Sequence, residues 1–286
     1  MGRIRASIEI VKASWAVLQH DRELLWLPVL SFLATAVTLA LFAGGFLAVS
    51  GTDALDGGRI QPTVGGYVLL FLLYLVLAII TVFFNAALVS AAHERLGGGD
   101  PSVETALAGA TSRFGLLLQW ALVSATVSTI LKSIQNRAGL LGRIVIGLVG
   151  MAWALVTFLV LPVIVVEGLT VGAAIKRSKD LFARTWGEQV VGNAAIGLVS
   201  FFAILGFGFI AVPVMLTGVT ALVIAAIVTW VLWTMAVSVV GAAMSGIFQT
   251  ALYLYASTGN VPVGFSPMAI EAAFRPKPPK SGFLGR

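Results

Sequence analysis

The sequence predicts an all-α polytopic membrane protein: about six transmembrane helices, with amphipathic helices at the cytoplasmic interface. Three observations predict it. First, 59% of the 286 residues are hydrophobic and only 10% are charged, against about 45–50% and about 25% in soluble domains. So little charge cannot cover a soluble core, and lipid is the natural solvent. Second, apolar runs of the roughly 20 residues that a helix needs to cross the hydrocarbon occur at about 24–50, 65–91, 114–132, 144–166, 189–212 and 219–245. Third, the cations are sorted between the two ends of those runs. With both termini cytoplasmic, only four of the 18 Lys and Arg (Arg59, Lys132, Arg137 and Arg143) fall outside, as the positive-inside rule requires. The 132–143 hairpin is the local exception, because it holds three of those four.

The elements follow in order. Residues 1–22 read as an interfacial amphipathic helix, with Ile4, Ile8, Val11, Trp15 and Leu18 on one face and Arg3, Arg5, Glu9, Lys12 and Gln19 elsewhere. The flanks of the first apolar run lack a small-residue cleavage motif, which argues against a signal peptide. Residues 23–256 hold the six spans. Pro28 sits in the first turn of the first span, where a missing N–H is tolerated, and Pro162 kinks the end of the fourth. In Gly97-Gly-Gly-Asp-Pro101, Gly97 ends one helix, and Asp100 and Pro101 serve as cap and first-turn proline of the next. Pro213 and Gly218 bracket the turn between the fifth and sixth spans. The sixth apolar stretch runs almost to Tyr255, about 55 Å as a helix. It reads as one span that protrudes past the membrane, with Tyr253 and Tyr255 at or beyond the interface.

The pattern also suggests a threefold internal repeat of one amphipathic lead-in helix and two crossings. The lead-ins are Ile8–Asp21, Val103–Gly115 and Val171–Gly187, each with an aromatic near its end (Trp15, Phe114, Trp186). Small-xxx-small pairs at Gly150/Ala154, Ala221/Ala225 and Ala242/Gly246 predict close helix packing, within the chain or in an oligomer. Residues 257–286 read as a helix stop at Gly259, a short helix capped by Ser266, and a basic proline-rich tail.

Chemistry-bearing motifs are scarce. There is no Gly-x-Ser-x-Gly elbow, no phosphate-binding loop and no His-Glu-x-x-His. With no cysteine and two histidines, His20 and His93, no thiolate chemistry is available and no metal-ligand constellation stands out. No cofactor is expected. The interfacial cluster His93, Glu94 and Arg95 reads as the polar end of the second span. Glu167 closes the fourth span, either as a cation or proton site or as an interfacial partner for a cation in 176–184. Asn85, Gln119, Asn193 and Gln249 lie at membrane depth, either lining a path or bonding helices together.

The passage Phe248-Gln-Thr-Ala-Leu-Tyr-Leu-Tyr-Ala-Ser-Thr-Gly-Asn-Val-Pro-Val-Gly-Phe265 resembles the C-terminal signature of the DUF6159 type of prokaryotic membrane protein. The opening Trp15…Pro28 and the series Leu161-Pro-Val…Glu167, Ala174-Ile-Lys-Arg-Ser178 and Trp186 are similar to other parts of that family. The 161–186 series is also similar to the membrane domain attached to some glycerophosphodiester phosphodiesterases, although the catalytic domain of those enzymes is absent here. The resemblance implies a six-span membrane protein and no assigned activity.

Three functions remain open at this point. The leading one is a non-enzymatic scaffold or envelope- and lipid-organising protein of the cell membrane. Its partners would be anionic headgroups and either a second copy or another membrane protein, with no nucleic acid. The alternative is a small transporter with a polar site near Glu167, Asn85 and Asn193. The third is a lipid-modifying enzyme using His93 and Glu94.

Overall fold

Helices form wherever the apolar runs exclude water, because only a helix satisfies its own backbone in lipid. The computed structural model describes residues 2–50, 64–184 and 189–265, with side chains described except at 2–8, 10, 49–50, 140 and 184–195. No strand occurs among them. The short helix and tail expected after Ser266 lie outside the described residues, as do Arg59, Trp186 and the Asn193 side chain.

The chain opens with α1 (Gly2–His20), a 3₁₀ turn (Arg22–Leu25) and α2 (Trp26–Ser50). The next helices are α3 (Val64–Leu96), the short α4 (Val103–Ser112), α5 (Phe114–Arg137) and α6 (Leu140–Thr157). A three-residue turn, α7 (Val160–Pro162), continues into a π turn (Val163–Glu167). The last helices are α8 (Val171–Arg184), α9 (Gln189–Met215) and α10 (Thr220–Thr258). Among the described residues six stretches are long and apolar enough to span a bilayer, and they fall on the six expected runs.

The short helices α1, α4 and α8 each precede a pair of spans, so all three lie at one end of the bundle, the capped end. Their packing closes a ring. α4 rests on α3, α8 rests on α6 and α7, and α1 rests on α9 and α10. Each short helix thus sits on the hairpin of the unit before it, and the first sits on the last. Their buried faces correspond. α1 buries Ser14, Val17 and Leu18; α8 buries Ser178, Leu181 and Phe182 at the same spacing; α4 and α8 share a small pair four residues apart, Ala106/Ala110 and Ala174/Ser178.

The core lies in the capped half. The latter part of α3, Ala86 to Leu96, and of α10, Ala243 to Tyr253, is largely buried there. These helices are 33 and 39 residues long, about 50 and 58 Å, so each crosses the roughly 30 Å hydrocarbon and continues into the cap. Their opposite halves carry exposed Val, Leu, Ile and Phe, the surface that lipid covers.

Several local expectations change. α1 buries Val17 and Leu18 against the bundle and leaves Trp15 half-exposed, so it is a packed element of the cap as well as an amphipathic one. The cap of α4 is Ser102, not Asp100. The Ser102 hydroxyl accepts from Thr105 N, and the Thr105 hydroxyl accepts from Ser102 N. This reciprocal pair outcompetes an aspartate placed before a proline. α3 stops because Gly98 adopts φ +90°, with Gly99 N donating to Glu94 O and Gly98 N to Arg95 O, a paired C-terminal closure that favours glycine. Pro213 lies inside α9, whose turn comes only at Gly218 with φ +71°. Tyr253 lies in the cap beyond the spanning part of α10, and there it is buried by neighbouring helices. Of the small pairs, Gly246 makes the closest helix contact: a Cβ there would overlap the Leu88 side chain. Ala221, Ala225 and Ala242 are exposed.

Candidate functional site

The break in the fourth span organises the polar groups at the capped end. Pro162 has no N–H to give Phe158 O, and its ring crowds that carbonyl. The helix therefore opens between Thr157 and Val160. Three backbone groups lose their helical partners, and in a dry interior each must find another. Gln249 Nε2 of α10 donates to Phe158 O. Ser178 Oγ of α8 donates to Val156 O at 2.6 Å and accepts from Leu159 N at 3.1 Å. Ser178 is fully buried. Gln249 therefore acts as an interhelical bond, one of the two roles its composition allowed. Ser178 was missed as a site residue. Its signal was a lone hydroxyl on the apolar face of an amphipathic helix, four residues after Ala174.

Below the break, the π turn delivers Glu167 to the rim. Glu167 Oε1 accepts from Arg177 Nε at 3.1 Å and from the Tyr253 hydroxyl at 3.0 Å. The next residue, Gly168, is left-handed at φ +65°. A Cβ there would lie 2.8 Å from the Arg113 guanidinium carbon, a flexible group that can shift, so it is the left-handed turn that favours glycine. Glu167 therefore takes the interfacial role. It joins the fourth span, α8 and α10, with Arg113 of the α4–α5 junction packed alongside.

A second polar group closes the other side of the cap. Arg95 Nε lies 2.6 Å from Asp21 Oδ2, and Nη1 donates to Gly99 O at 3.2 Å and lies 3.8 Å from Asp100. Burial, then Asp100 and Glu23, push the Asp21 carboxyl upward. Glu94 Oε2 accepts from the Thr105 hydroxyl at 3.2 Å. His93 Nδ1 is buried with no hydrogen-bond partner among the described residues. The turn after α10 finishes the cap: Val263 N donates to Leu96 O at 3.4 Å, and Gly264 packs against Val17.

The remaining candidates lie apart. Asn85 faces a groove of about 620 Å³ between α2, α3 and α10, which contains neither Gln119 nor Glu167. Gln119 is exposed on α5. No group of three His, Cys, Asp or Glu that could hold a metal occurs among the described residues.

The fold defines an all-α, multi-pass membrane protein, and its ion pairs among the described residues lie at the capped end. The chain belongs to DUF6159, a family of unknown function, whose sequence profile matches residues 64–264, more than two thirds of its length. That match includes the 161–186 stretch, and nothing supports the phosphodiesterase-type likeness there. No curated protein matches the chain.

Proposed function

We propose that this is a non-enzymatic protein that organises anionic lipid at the cytoplasmic face of the cell membrane, with the capped end and both termini in the cytoplasm. One observation carries the reading: α8 has two faces. Val171, Ala174, Ser178, Leu181 and Phe182 are buried in the bundle, while Lys176 and Lys179 are exposed beside a single acid, Asp180. Glu167 engages Arg177, so among the described side chains of α8 the two lysines are the cations presented outward. A rigidly seated helix holding basic groups at the headgroup level attracts anionic lipid by about 1 kcal/mol per residue.

The transport alternative needs Asn85 and Glu167 along one path. Glu167 is held by Arg177 and Tyr253, and the groove beside Asn85 does not reach it. The geometry therefore favours the lipid reading. The enzyme alternative needs converging groups around His93 and Glu94, but Glu94 accepts from Thr105 and Arg95 pairs with Asp21.

The test is lipid retention. The intact protein is placed in nanodiscs of mixed phosphatidylglycerol and phosphatidylcholine and released for native mass spectrometry. Enrichment of phosphatidylglycerol, reduced by the double variant Lys176→Gln/Lys179→Gln, is the expected result. Equal retention of both lipids, or no change in the variant, would count against the proposal. So would an unaltered lipid profile in a strain lacking the gene.

A further inference from the structure

The groove at Asn85 is built from more than chance polar residues. Three helices each contribute two of them, one turn apart: Ser31 and Thr35 from α2, Thr81 and Asn85 from α3, Thr234 and Ser238 from α10. Residues four apart share a helix face, so three polar stripes meet across one space. The rest of the lining is Pro, Phe, Leu, Val, Met, Ala and Trp, and it holds no charged side chain. Trp230 continues the α10 stripe one turn earlier. Its indole N–H is buried with no acceptor among the described residues.

Depth makes these groups costly to leave alone. Trp26, exposed at the start of α2, belongs at the headgroup level where tryptophan concentrates. Ser31 and Thr35 then lie roughly 7 to 14 Å further along the helix, inside the hydrocarbon. Thr81 donates to Leu77 O of its own helix at 2.8 Å. The exposed Asn85 amide has no hydrogen-bond partner among the described residues. An amide facing lipid in this state carries a desolvation penalty of a few kcal/mol. A bound molecule that supplies acceptors and a donor removes it.

From this arrangement we infer that the groove binds an uncharged lipid of the diacylglycerol class. An ester carbonyl accepts from the Asn85 amide, the free hydroxyl meets the serine and threonine oxygens, and an acyl chain lies along the apolar wall. A phospholipid headgroup does not suit the site. It would bring a charge to a depth where no cation lines the wall, and burying an unpaired charge is the more expensive error. The volume of about 620 Å³ falls within the roughly 300–1,000 Å³ of small-molecule sites. This site is separate from the lysines of α8.

The experiment uses the full chain in phosphatidylcholine nanodiscs with a photo-crosslinkable diacylglycerol, and the labelled peptides are mapped by mass spectrometry. Saturable labelling of α3 or α10 next to the groove is expected, competed by unlabelled dioleoylglycerol and not by phosphatidylglycerol. Asn85→Leu should weaken apparent affinity roughly three- to fifteenfold, the worth of one intramembrane hydrogen bond. Thr234→Val/Ser238→Ala should act in the same direction and serves as the readout if Asn85→Leu does not fold. Thr126→Val, in the separate α3–α5 groove, should change nothing. The inference is overturned by non-saturable labelling spread over the lipid-facing surface, by equal competition from phosphatidylglycerol, or by wild-type affinity in the groove variants. The α8 lysine variant leaves this binding unchanged, so the two lipid proposals fail independently.

Discussion

Ser178 and Gln249 repair a fault that a proline introduces. Their value is the price of leaving backbone groups unpaired in a dry interior. Ser178→Ala leaves Val156 O and Leu159 N without the hydroxyl that now bonds both, and the substitution opens no room for water at a fully buried position. The expected loss is about 1–3 kcal/mol, read as a lower unfolding temperature in detergent with the helix content of the folded state unchanged. A Ser178→Ala variant as stable as the parent would show that the break is satisfied in some other way. At the rim the ordering of two variants is informative. Tyr253→Phe removes one hydrogen bond and should lower stability by about 0.5–1.5 kcal/mol. Glu167→Ala removes the acceptor for both Tyr253 and Arg177 and should lower it by about 2–3 kcal/mol. The reverse order would mean that Glu167 does not hold the three elements together.

Among the elements, α3 and α10 decide the architecture, and their crossing depends on the absence of a side chain. Gly246 lets α10 close on Leu88 of α3. Gly246→Ala forces a methyl into that contact and should destabilise by about 1–3 kcal/mol. Leu88→Ala alone leaves a cavity and should lose about 2–5 kcal/mol. Together the methyl occupies part of the vacated space, so the double variant should be more stable than the sum of the two losses. Strict additivity would place the two residues apart. The six spans themselves were legible because about 20 apolar residues in water have no other fate. The Pro162 break and the Gly259 stop were legible for equally local reasons. The reach of α10 past the membrane was legible in its length, but the packing that buries Tyr253 there was not. A tyrosine near the end of an apolar run reads as an interfacial anchor until neighbouring helices are known to cover it. The groove was half legible. The pairs Ser31/Thr35, Thr81/Asn85 and Thr234/Ser238 are visible at helical spacing, but only the packing of α2, α3 and α10 turns three separate stripes into one lining.

For the molecule as a whole, the ring of α1, α4 and α8 makes the two ends of the bundle chemically unlike. Each repeated unit sends its short helix to the same end, and most of the cations travel with those helices and their flanks. The α5–α6 turn goes to the other end and takes Lys132, Arg137 and Arg143 with it. Its basicity is therefore a local departure from the cation bias, since relocating the turn would require breaking one of the two spans that flank it. The absence of cysteine gives a clean way to test which end faces the cytoplasm. Asp180→Cys lies exposed on α8 at the capped end, and Arg137→Cys lies exposed at the end of α5 on the opposite side. Each is made singly, and intact cells are treated with a membrane-impermeant maleimide before and after permeabilisation. Arg137→Cys should label in intact cells, and Asp180→Cys only after permeabilisation. The opposite pattern would invert the molecule and move the α8 lysines to the outer surface, away from the anionic cytoplasmic leaflet that the lipid-organising role requires. Labelling of both sites in intact cells would be incompatible with six spans, because the positions are separated by a single crossing, Leu141–Glu167.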